Sequence, residues 1–278
     1  MSTPSIGLAL GGGSARGLAH IPMLEVFDEL GVKPKVIAGC SIGALMGAAY
    51  AAGMSAREIR DRAEMLLANR VGALRYAFGE KRINPFDLLA LKGLASLHIQ
   101  GETLVELALP DTVPKLIEDL AIPFKVIATD FDMMEERVIE AGALRKAIAA
   151  SIAIPGVILA PQYEGHTYVD GGVTNPVPFD HVRTGVDIVV AVDVTGRPRA
   201  ANSGHRSNME LAVGSLLILF HQVAGLRRAI TPPDIYIRPA IEDFAGGDFF
   251  RIKEVLEQAA PAKDQLKRDL ERAIAATA

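Results

Sequence analysis

The chain has 278 residues, of which 50% are hydrophobic, and it carries 29 Lys and Arg against 33 Asp and Glu. The net charge of -4 without a basic stripe argues against a nucleic-acid partner, and the single cysteine excludes an intramolecular disulfide. The first residues lack the basic region of a secretory signal, so we expect a cytoplasmic protein.

Short apolar runs alternate with amphipathic stretches, and the chain starts in the order strand, helix, strand, helix. Strands are predicted at residues 6–10, 34–38, 124–129, 137–140, 167–169, 188–194 and 235–238. Helices are predicted at residues 15–30, from Gly43 to Gly53, and at 56–69, 144–151, 209–229 and 249–275, with a break near Pro261. Several strands are continuous Val and Ile runs, which favours an α/β fold whose mostly parallel sheet is covered on both faces.

No repeat and no linker divides the chain, so we predict a single domain over residues 1–278. Its motif-bearing core covers about residues 6–195, and C-terminal helices follow over residues 205–278. Residues 70–119 are rich in Leu and Gly, which fits a cap over the site and ordinary connecting helices equally well, and residues 197–208 predict an exposed loop. The apolar run at 211–225 is too short to span a bilayer and predicts a buried or partly exposed helix.

The strongest motif is G-x-S-x-G at residues 39–43, between a predicted strand and a predicted helix. A sharp turn there exposes the Ser41 hydroxyl at the carboxyl edge of the sheet, where Gly39 and Gly43 remove side chains that would collide with the neighbouring chain. Successive side chains near a strand end point to opposite faces, so Cys40 is expected in the core. Ser41 is therefore the candidate nucleophile.

A second loop between a strand and a helix has the sequence GGGSARG at residues 11–17. In a parallel sheet it emerges at the same edge as the nucleophile turn. Its bare N–H groups are suited to bind an oxyanion, with Gly12 and Gly13 as donors and Gly11 shaping the loop. Arg16 either holds this loop or meets an anionic head group.

The alternative for this loop is a nucleotide site. Gly11, Gly13 and Gly17 make a pattern one residue longer than the dinucleotide-binding motif, and the second strand does not end in the acidic residue that would bind a ribose. A P-loop would need Gly-Lys-Ser/Thr after the glycines, which is not present. Both alternatives are disfavoured.

The third motif, Asp170-Gly171-Gly172, follows the predicted strand at 167–169. A carboxylate at a strand end can face a neighbouring loop, although Asp-Gly is also a common turn pair. An ordinary Asp is a weak base, and burial in an apolar site would raise its pKa toward a useful range. Asp130 and Asp193 also end apolar strands and are reserve candidates.

Together the three motifs resemble the patatin-like phospholipases, over residues 6–193. The resemblance implies a three-layer α/β/α sandwich, a Ser41–Asp170 dyad, an oxyanion loop at Gly11 to Gly13, and supporting roles for the residues that complete the motifs, Arg16, Gly39, Gly43, Gly171 and Gly172. It implies no metal and no cofactor. The implied substrate is a lipid ester, a phospholipid or lysophospholipid, with peripheral membrane contact; the oligomeric state stays open.

Two rival hypotheses are kept. A Ser-His-Asp triad would use His205 or His221, since both follow Ser41 and Asp170 in the order of α/β-hydrolases. His205 falls in a polar loop and His221 in an apolar helix, which disfavours the triad, and His20 is expected to be structural. The second rival is a non-catalytic lipid-binding or regulatory module of the same fold.

Overall fold

A computed structural model describes residues 4–68, 100–163, 165–197 and 208–277. Most of the predicted cap at 70–119 and most of the predicted loop at 197–208 lie outside these residues.

An eight-stranded mixed sheet forms the centre of the molecule. Five neighbouring strands are parallel, in the order β3-β2-β1-β7-β8, and the others pair antiparallel. The strands are β1 (Ile6–Leu10), β2 (Val36–Cys40), β3 (Phe124–Asp130), β4 (Glu135–Ile139), β5 (Gln162–Tyr163), β6 (His166–Asp170), β7 (Ile188–Val192) and β8 (Ile235–Ile237). All seven predicted strands are present, the first with the predicted bounds and the others with shifted ends, and the short β5 was missed.

The described helices are α1 (His20–Leu30), α2 (Ile42–Ala51), α3 (Ala56–Ala68), α4 (Gly101–Ala108), α5 (Leu144–Ser151), α6 (Asn208–Ile230) and α7 (Ile252–Thr277). The predicted helix at 15–30 begins instead as a 3₁₀ turn, Ser14–Ala19. The predicted break at Pro261 is wrong, because α7 continues through it. Buried side chains on both sides of the proline, from Val255 to Leu270, pack into the core and outweigh the lost backbone hydrogen bond.

The two faces of the sheet bury different side chains. Leu8, Leu10 and Val190 belong to the larger core cluster, which also contains residues of α1, α2 and α7. Ala9 and Ala191 belong to a smaller cluster with residues of the 177–182 segment and of α6. Helices therefore cover both faces, and the predicted α/β/α sandwich is confirmed.

Three strands pair with β3, and their register brings two strand ends together. β4 pairs with β3 along residues 126–130, which occupies one edge of that strand. β2 and β6 must therefore share the other edge, β2 with Cys40 opposite Ile127 and β6 with Asp170 opposite Ala128. Because β2 is parallel and β6 antiparallel to β3, their carboxyl ends meet head to head.

Helix α6 is longer than the sequence run at 211–225 indicated. Its segment Leu211–Ile230 has a mean hydropathy of 1.2 over 20 residues, enough by length and composition to cross a bilayer. The expectation that this run is too short to span is therefore wrong. Only 17% of its apolar window is buried.

Candidate active site

The head-to-head meeting of β2 and β6 joins the two predicted dyad residues. The Ser41 hydroxyl donates a hydrogen bond to Asp170 Oδ2 at 2.6 Å. Ser41 is 5% exposed and Asp170 is 1% exposed, so the pair is almost sealed from solvent. A short hydrogen bond of this kind allows a proton to move directly from the hydroxyl to the carboxylate.

The backbone of the nucleophile turn is held in an uncommon conformation. Ser41 has φ 53° and ψ -124°, in a region that residues with a side chain rarely adopt. Its N–H donates to Ser151 Oγ at 2.7 Å, and its carbonyl accepts from the Ala44 N–H at 2.8 Å, which starts α2. A side chain at Gly43 would lie 2.1 Å from the Leu10 carbonyl oxygen, so only glycine lets α2 approach β1 this closely.

The Asp170 carboxylate has few partners to stabilise its charge. Oδ2 accepts from Ser41, and Oδ1 accepts from the Gly172 N–H at 2.8 Å. Burial raises the pKa of Asp170 from 3.8 to about 6, although the two hydrogen bonds act in the opposite direction. The carboxylate is consequently a stronger base than an exposed aspartate, as the sequence argument expected for a buried one.

The glycine loop differs from the prediction in one of its two donors. The Gly11 N–H donates to Val192 O and the Gly12 N–H donates to Pro176 O, both at 2.9 Å. Gly12 therefore holds the loop in place beside Ser41, instead of offering a free N–H. Within the described part of the chain, the Gly13 N–H makes no hydrogen bond, so it is still available to an incoming oxygen.

Two buried side chains support the glycine loop: Arg16 within the loop and His20 at the start of α1. The His20 ring lies 2.8 Å from the Gly11 carbonyl, and burial lowers the pKa of His20 to about 4, so the ring is neutral and donates through Nε2. Arg16 is 1% exposed and donates to Phe244 O at 2.7 Å. Arg16 thus holds the loop against the C-terminal segment, and the head-group alternative is wrong for this conformation.

Behind the base lies a network of polar side chains that sequence reasoning missed. Asn175 is fully buried, and its Nδ2 donates to Glu136 Oε1 at 2.8 Å and to Asp180 Oδ1 at 2.9 Å. Arg227 of α6 reaches the same two carboxylates, each at 2.7 Å. The Asn175 N–H also donates to Gly171 O at 2.8 Å, which ties the network to the loop that carries Asp170.

The two carboxylates of this network, Glu136 and Asp180, face the basic side chains of Arg227 and His181. Burial acts to raise the pKa of Glu136, but hydrogen bonds from His181 and Asn175 and the charge of Arg227 leave it lowered. The Glu136 carboxylate in turn raises the pKa of His181. The only sequence signal for these partners was the Asn-Pro pair at 175–176, since the rest come from distant segments.

The rival catalytic residues within the described part of the chain are paired with other groups or buried. The ring of His221 lies beside Arg238, with Nδ1 3.2 Å from the guanidinium, and His205 lies outside the described residues. Asp193 accepts from the Thr195 and Tyr236 hydroxyls at 2.6 and 2.7 Å. Cys40 is fully buried, and burial raises the pKa of its thiol, so it is not a competing nucleophile.

Two groups of described residues could offer three ligand atoms to a metal ion. One consists of Asp130, Asp132 and His166 at the end of β3, where His166 Nδ1 lies 3.0 Å from Asp130 Oδ2. The other is the cluster of Glu136, Asp180 and His181, whose carboxylates are already paired with Arg227. Neither group includes Ser41 or Asp170.

The chain is similar to a family model, to curated proteins and to solved structures. The family model of the patatin-like phospholipases matches residues 8–183. An uncharacterised NTE family protein of Mycobacterium tuberculosis is 33% identical over 196 residues, which cover 70% of this chain and 50% of that protein. Patatin-like phospholipase domain-containing protein 7 of Rattus norvegicus is 32% identical over 196 residues, 69% of this chain and 14% of that protein. The solved structure of VipD from Legionella pneumophila aligns with a TM-score of 0.46 at 12% identity, over 95% of this chain and 67% of that chain.

The chain spans about half the length of the mycobacterial relative and a much smaller share of the mammalian one. The family match covers more than half of this chain and contains the glycine loop, the nucleophile turn and the Asp-Gly-Gly motif. The chain therefore belongs to the patatin-like phospholipase family.

Proposed function

We propose that this chain hydrolyses lipid esters through a Ser41–Asp170 dyad. The observation that carries the proposal is the 2.6 Å hydrogen bond between the Ser41 hydroxyl and a buried carboxylate whose pKa is raised to about 6. Family membership supports the substrate class, and a phospholipid or lysophospholipid is the proposed substrate. The Glu136 cluster and the histidines have no step in this reaction.

In the first half of the reaction, Ser41 Oγ attacks the ester carbonyl while its proton passes to Asp170 Oδ2. The tetrahedral intermediate collapses, and the leaving alcohol takes the proton back from Asp170. In the second half, Asp170 removes a proton from the water that attacks the acyl-enzyme. It then gives this proton to Ser41 Oγ as the fatty acid leaves, which restores the free enzyme.

The negative oxygen of the intermediate needs donors that are free in the resting enzyme. We assign the Gly13 N–H and the Ile42 N–H to this role, because Gly12 is already bound to Pro176. Ile42 directly follows the nucleophile and begins α2, whose first N–H groups have no partner within the helix. Losing one such donor typically costs about 10² to 10³ in rate.

The dyad is tested with substitutions that keep side-chain size. Ser41→Ala and Asp170→Asn should each lower turnover of a short-chain chromogenic ester by at least about 10²-fold with the fold intact, as seen by circular dichroism. Asp193→Asn is the matched control, because this buried carboxylate directly follows β7, which pairs with β1 and β8 and carries neither dyad residue, so the substitution should leave turnover nearly unchanged. Loss of activity in the control and survival of Asp170→Asn would refute the assignment.

The rivals give different outcomes in the same assays. A fluorophosphonate probe should label Ser41 in the wild type, located by mass spectrometry, and fail to label Asp170→Asn. His221→Ala should leave turnover unchanged if the dyad acts without a histidine, whereas a triad through His221 requires a loss. A wild type that binds lipid and is never labelled would support the non-catalytic module instead.

The raised pKa of Asp170 predicts the pH dependence of the reaction. Only the ionised carboxylate accepts the serine proton, so kcat/KM should be half-maximal near pH 6 and fall about tenfold per pH unit below it. A profile that is flat down to pH 4.5 on a soluble ester would contradict a base with this pKa.

A further inference from the structure

A segment near the end of the chain is bonded to the glycine loop at two successive residues. The Arg16 guanidinium donates to Phe244 O at 2.7 Å, and the Ala15 N–H donates to Gly246 O at 3.1 Å. We name residues 244–248 the strap. The strap is itself fixed to the fold, because Phe244 is 2% exposed and belongs to the larger core cluster. The glycine loop is therefore tied to a packed part of the molecule that is distant in sequence.

Side-chain contacts fix the shape of the strap. The Ala245 N–H donates to Asp248 Oδ2 at 2.9 Å, and the Arg251 guanidinium reaches the same oxygen at 3.3 Å. The Arg251 guanidinium also lies 4.5 Å from the centre of the Phe244 ring, a cation–π contact. These contacts hold the carbonyls of Phe244 and Gly246 in the positions from which they accept the bonds of the loop.

Gly196 confines the Arg16 side chain on another side. A Cβ at Gly196 would lie 1.9 Å from Arg16 Cζ and 2.2 Å from Nη2, so a larger residue would push the guanidinium away. Arg16 is 1% exposed, and burial lowers its pKa, although the carboxylates of Asp248 and Asp193 act in the opposite direction. Burying a charge costs free energy that an apolar side chain of similar size would not cost. A buried guanidinium at this position therefore indicates a role other than stability.

The loop contains a residue in an unfavourable backbone conformation. Ser14 has φ 51°, in the left-handed region that favours glycine. It follows Gly13, whose N–H we assign to the oxyanion, and it precedes Ala15 and Arg16, which bind the strap. Without these two bonds Ser14 is free to return to a negative φ. Such a change rotates the peptide plane between Gly13 and Ser14 and displaces the Gly13 donor.

We propose that the strap is a positioning element of the oxyanion hole, which acts through Ala15 and Arg16 to keep the Gly13 N–H directed at the substrate oxygen. This inference rests on the proposed function, because it concerns the same reaction. Arg16 acts through Gly13 and is thus a positioning residue. The strap lies outside residues 8–183, the part of the chain that matches the family model, so the family motifs do not contain it.

Methionine and lysine at position 16 separate the bond to the strap from the volume of the side chain. Arg16→Met fills similar space without a donor, whereas Arg16→Lys keeps a charged donor. On a soluble ester, Arg16→Met should lower kcat at least about tenfold and change KM less than about twofold, because an oxyanion donor acts in the transition state. Arg16→Lys should retain most of the wild-type kcat. The half-maximal pH of kcat/KM should stay near 6 in both variants, since Asp170 is unchanged.

Gly196→Ala and Gly247→Ala form a matched pair of substitutions. A Cβ at Gly196 displaces the Arg16 guanidinium from Phe244 O, whereas nothing lies within 4 Å of a Cβ at Gly247, which belongs to the strap itself. Gly196→Ala should lower kcat at least about tenfold with KM nearly unchanged. Gly247→Ala should leave kcat within about twofold of the wild type.

The conformation of Ser14 has its own test. Glycine adopts a positive φ without steric cost, so a loop with Ser14→Gly depends less on the strap. Ser14→Gly combined with Arg16→Met should therefore regain at least about threefold in kcat over Arg16→Met alone. A loss that came only from poorer folding of the Arg16→Met protein would not be rescued in this way.

Three outcomes would overturn the strap. The first is an Arg16→Met variant that is folded by circular dichroism and has the kcat of the wild type. The second is an equal loss of kcat in Arg16→Met and Arg16→Lys, and the third is an equal loss in the two glycine variants. If Arg16→Met does not fold, Asp248→Ala loosens the strap from a partly exposed position. It should lower kcat about threefold, and an unchanged kcat would count against the strap.

Hydrogen exchange measures the loop without reference to activity. In Arg16→Met, the amides of residues 11–18 should exchange faster than in the wild type, while those of residues 36–46 should not. If this difference is found but the wild-type chain hydrolyses no ester, the proposed function fails although the strap holds the loop. An active wild type, with both exchange and kcat unchanged in Arg16→Met, would refute the strap alone.

Discussion

The two members of the dyad are held by different parts of the sequence. Ser41 is fixed by its own strand and helix: Gly39 and Gly43 allow close backbone approach, and the Ser41 carbonyl accepts the first hydrogen bond of α2. One distant side chain, Ser151, takes part by accepting the Ser41 N–H. The nucleophile is thus positioned mainly by backbone geometry encoded within five residues.

Asp170 is held from much farther along the chain. Its loop is tied through Asn175 to Glu136 and Asp180, and Arg227 of α6 closes the network. Side-chain charges and amides from distant segments therefore add to backbone contacts on the base side, where β6 pairs with β3 and a Cβ at Gly171 would lie 2.1 Å from the Ile127 carbonyl oxygen. Both sides should be intolerant of added volume, and the base side should in addition be sensitive to altered charge.

Among the substitutions that test this contrast, Gly43→Ala is expected to change the stability of the fold most. The added Cβ would lie 2.1 Å from the Leu10 carbonyl oxygen and 2.7 Å from the Gly11 carbonyl oxygen, which are backbone atoms that cannot move aside. We expect a loss of more than about 4 kcal/mol in the free energy of unfolding, measured by urea denaturation, or failure to fold. Gly225→Ala is the control, because nothing lies within 4 Å of a Cβ there, and it should be neutral or stabilising by up to about 1 kcal/mol.

Asp170→Asn removes the buried charge of the base, and we expect it to raise the free energy of unfolding instead of lowering it. The pKa of Asp170 is raised from 3.8 to about 6, so the fold binds its proton more tightly than the unfolded chain does, and stability is lost as the pH rises through about 6. The asparagine variant escapes this loss. It should be more stable than the wild type by up to about 3 kcal/mol at pH 8, and the advantage should shrink toward pH 4.

Thermal unfolding of both proteins between pH 4 and pH 8 measures this difference. A constant gap across the range would mean that Asp170 is solvated in the folded protein, contrary to its burial. The inactive variant is expected to be the more stable one, which would show that the buried charge is kept for catalysis at the expense of stability.

The sequence was sufficient for the nucleophile side and for the parallel character of the central sheet, but not for the order of its strands. G-x-S-x-G between a strand and a helix specifies its own geometry, because the turn, the glycines and the helix start are all local. The alternation of apolar strands and amphipathic helices specified the parallel part of the sheet for the same reason.

The position of Asp170 could not be predicted in the same way, because it depends on contacts between segments that are distant in the sequence. β6 lies on the same edge of β3 as β2, and only this register brings Asp170 next to Ser41. The Gly12 N–H was predicted to be free because its acceptor, Pro176 O, is distant in sequence. Pro261 was predicted to break α7 because the burial that outweighs its cost is tertiary.

Asn175→Ala should have a smaller effect than the two changes above. Its side chain donates to two carboxylates, so removing it should cost about 2 kcal/mol in the free energy of unfolding, and loosening the Asp170 loop should lower kcat more than it changes KM. Asn175→Asp keeps the size and adds a third carboxylate. The Asn175→Asp variant should be less stable than the alanine variant at pH 8, and the difference between them should shrink toward pH 5. Equal stabilities at pH 8 would show that charge does not position the base.

Arg227→Lys is the smallest and most specific test of the same network. The guanidinium binds Glu136 and Asp180 with separate nitrogens, each at 2.7 Å, whereas a single ammonium cannot reproduce both bonds in this geometry. Because these ion pairs are partly exposed, the variant should lose only about 1 kcal/mol in the free energy of unfolding, measured by urea denaturation. Its kcat on a soluble ester should fall a fewfold, since α6 and the Asp170 loop are joined through these contacts. Arg228→Lys is the neighbouring control, because Arg228 lies over the Tyr236 ring and contacts neither carboxylate. If both substitutions change kcat equally, the effect comes from helix packing in general, and the ion pairs of Arg227 do not transmit position to the base.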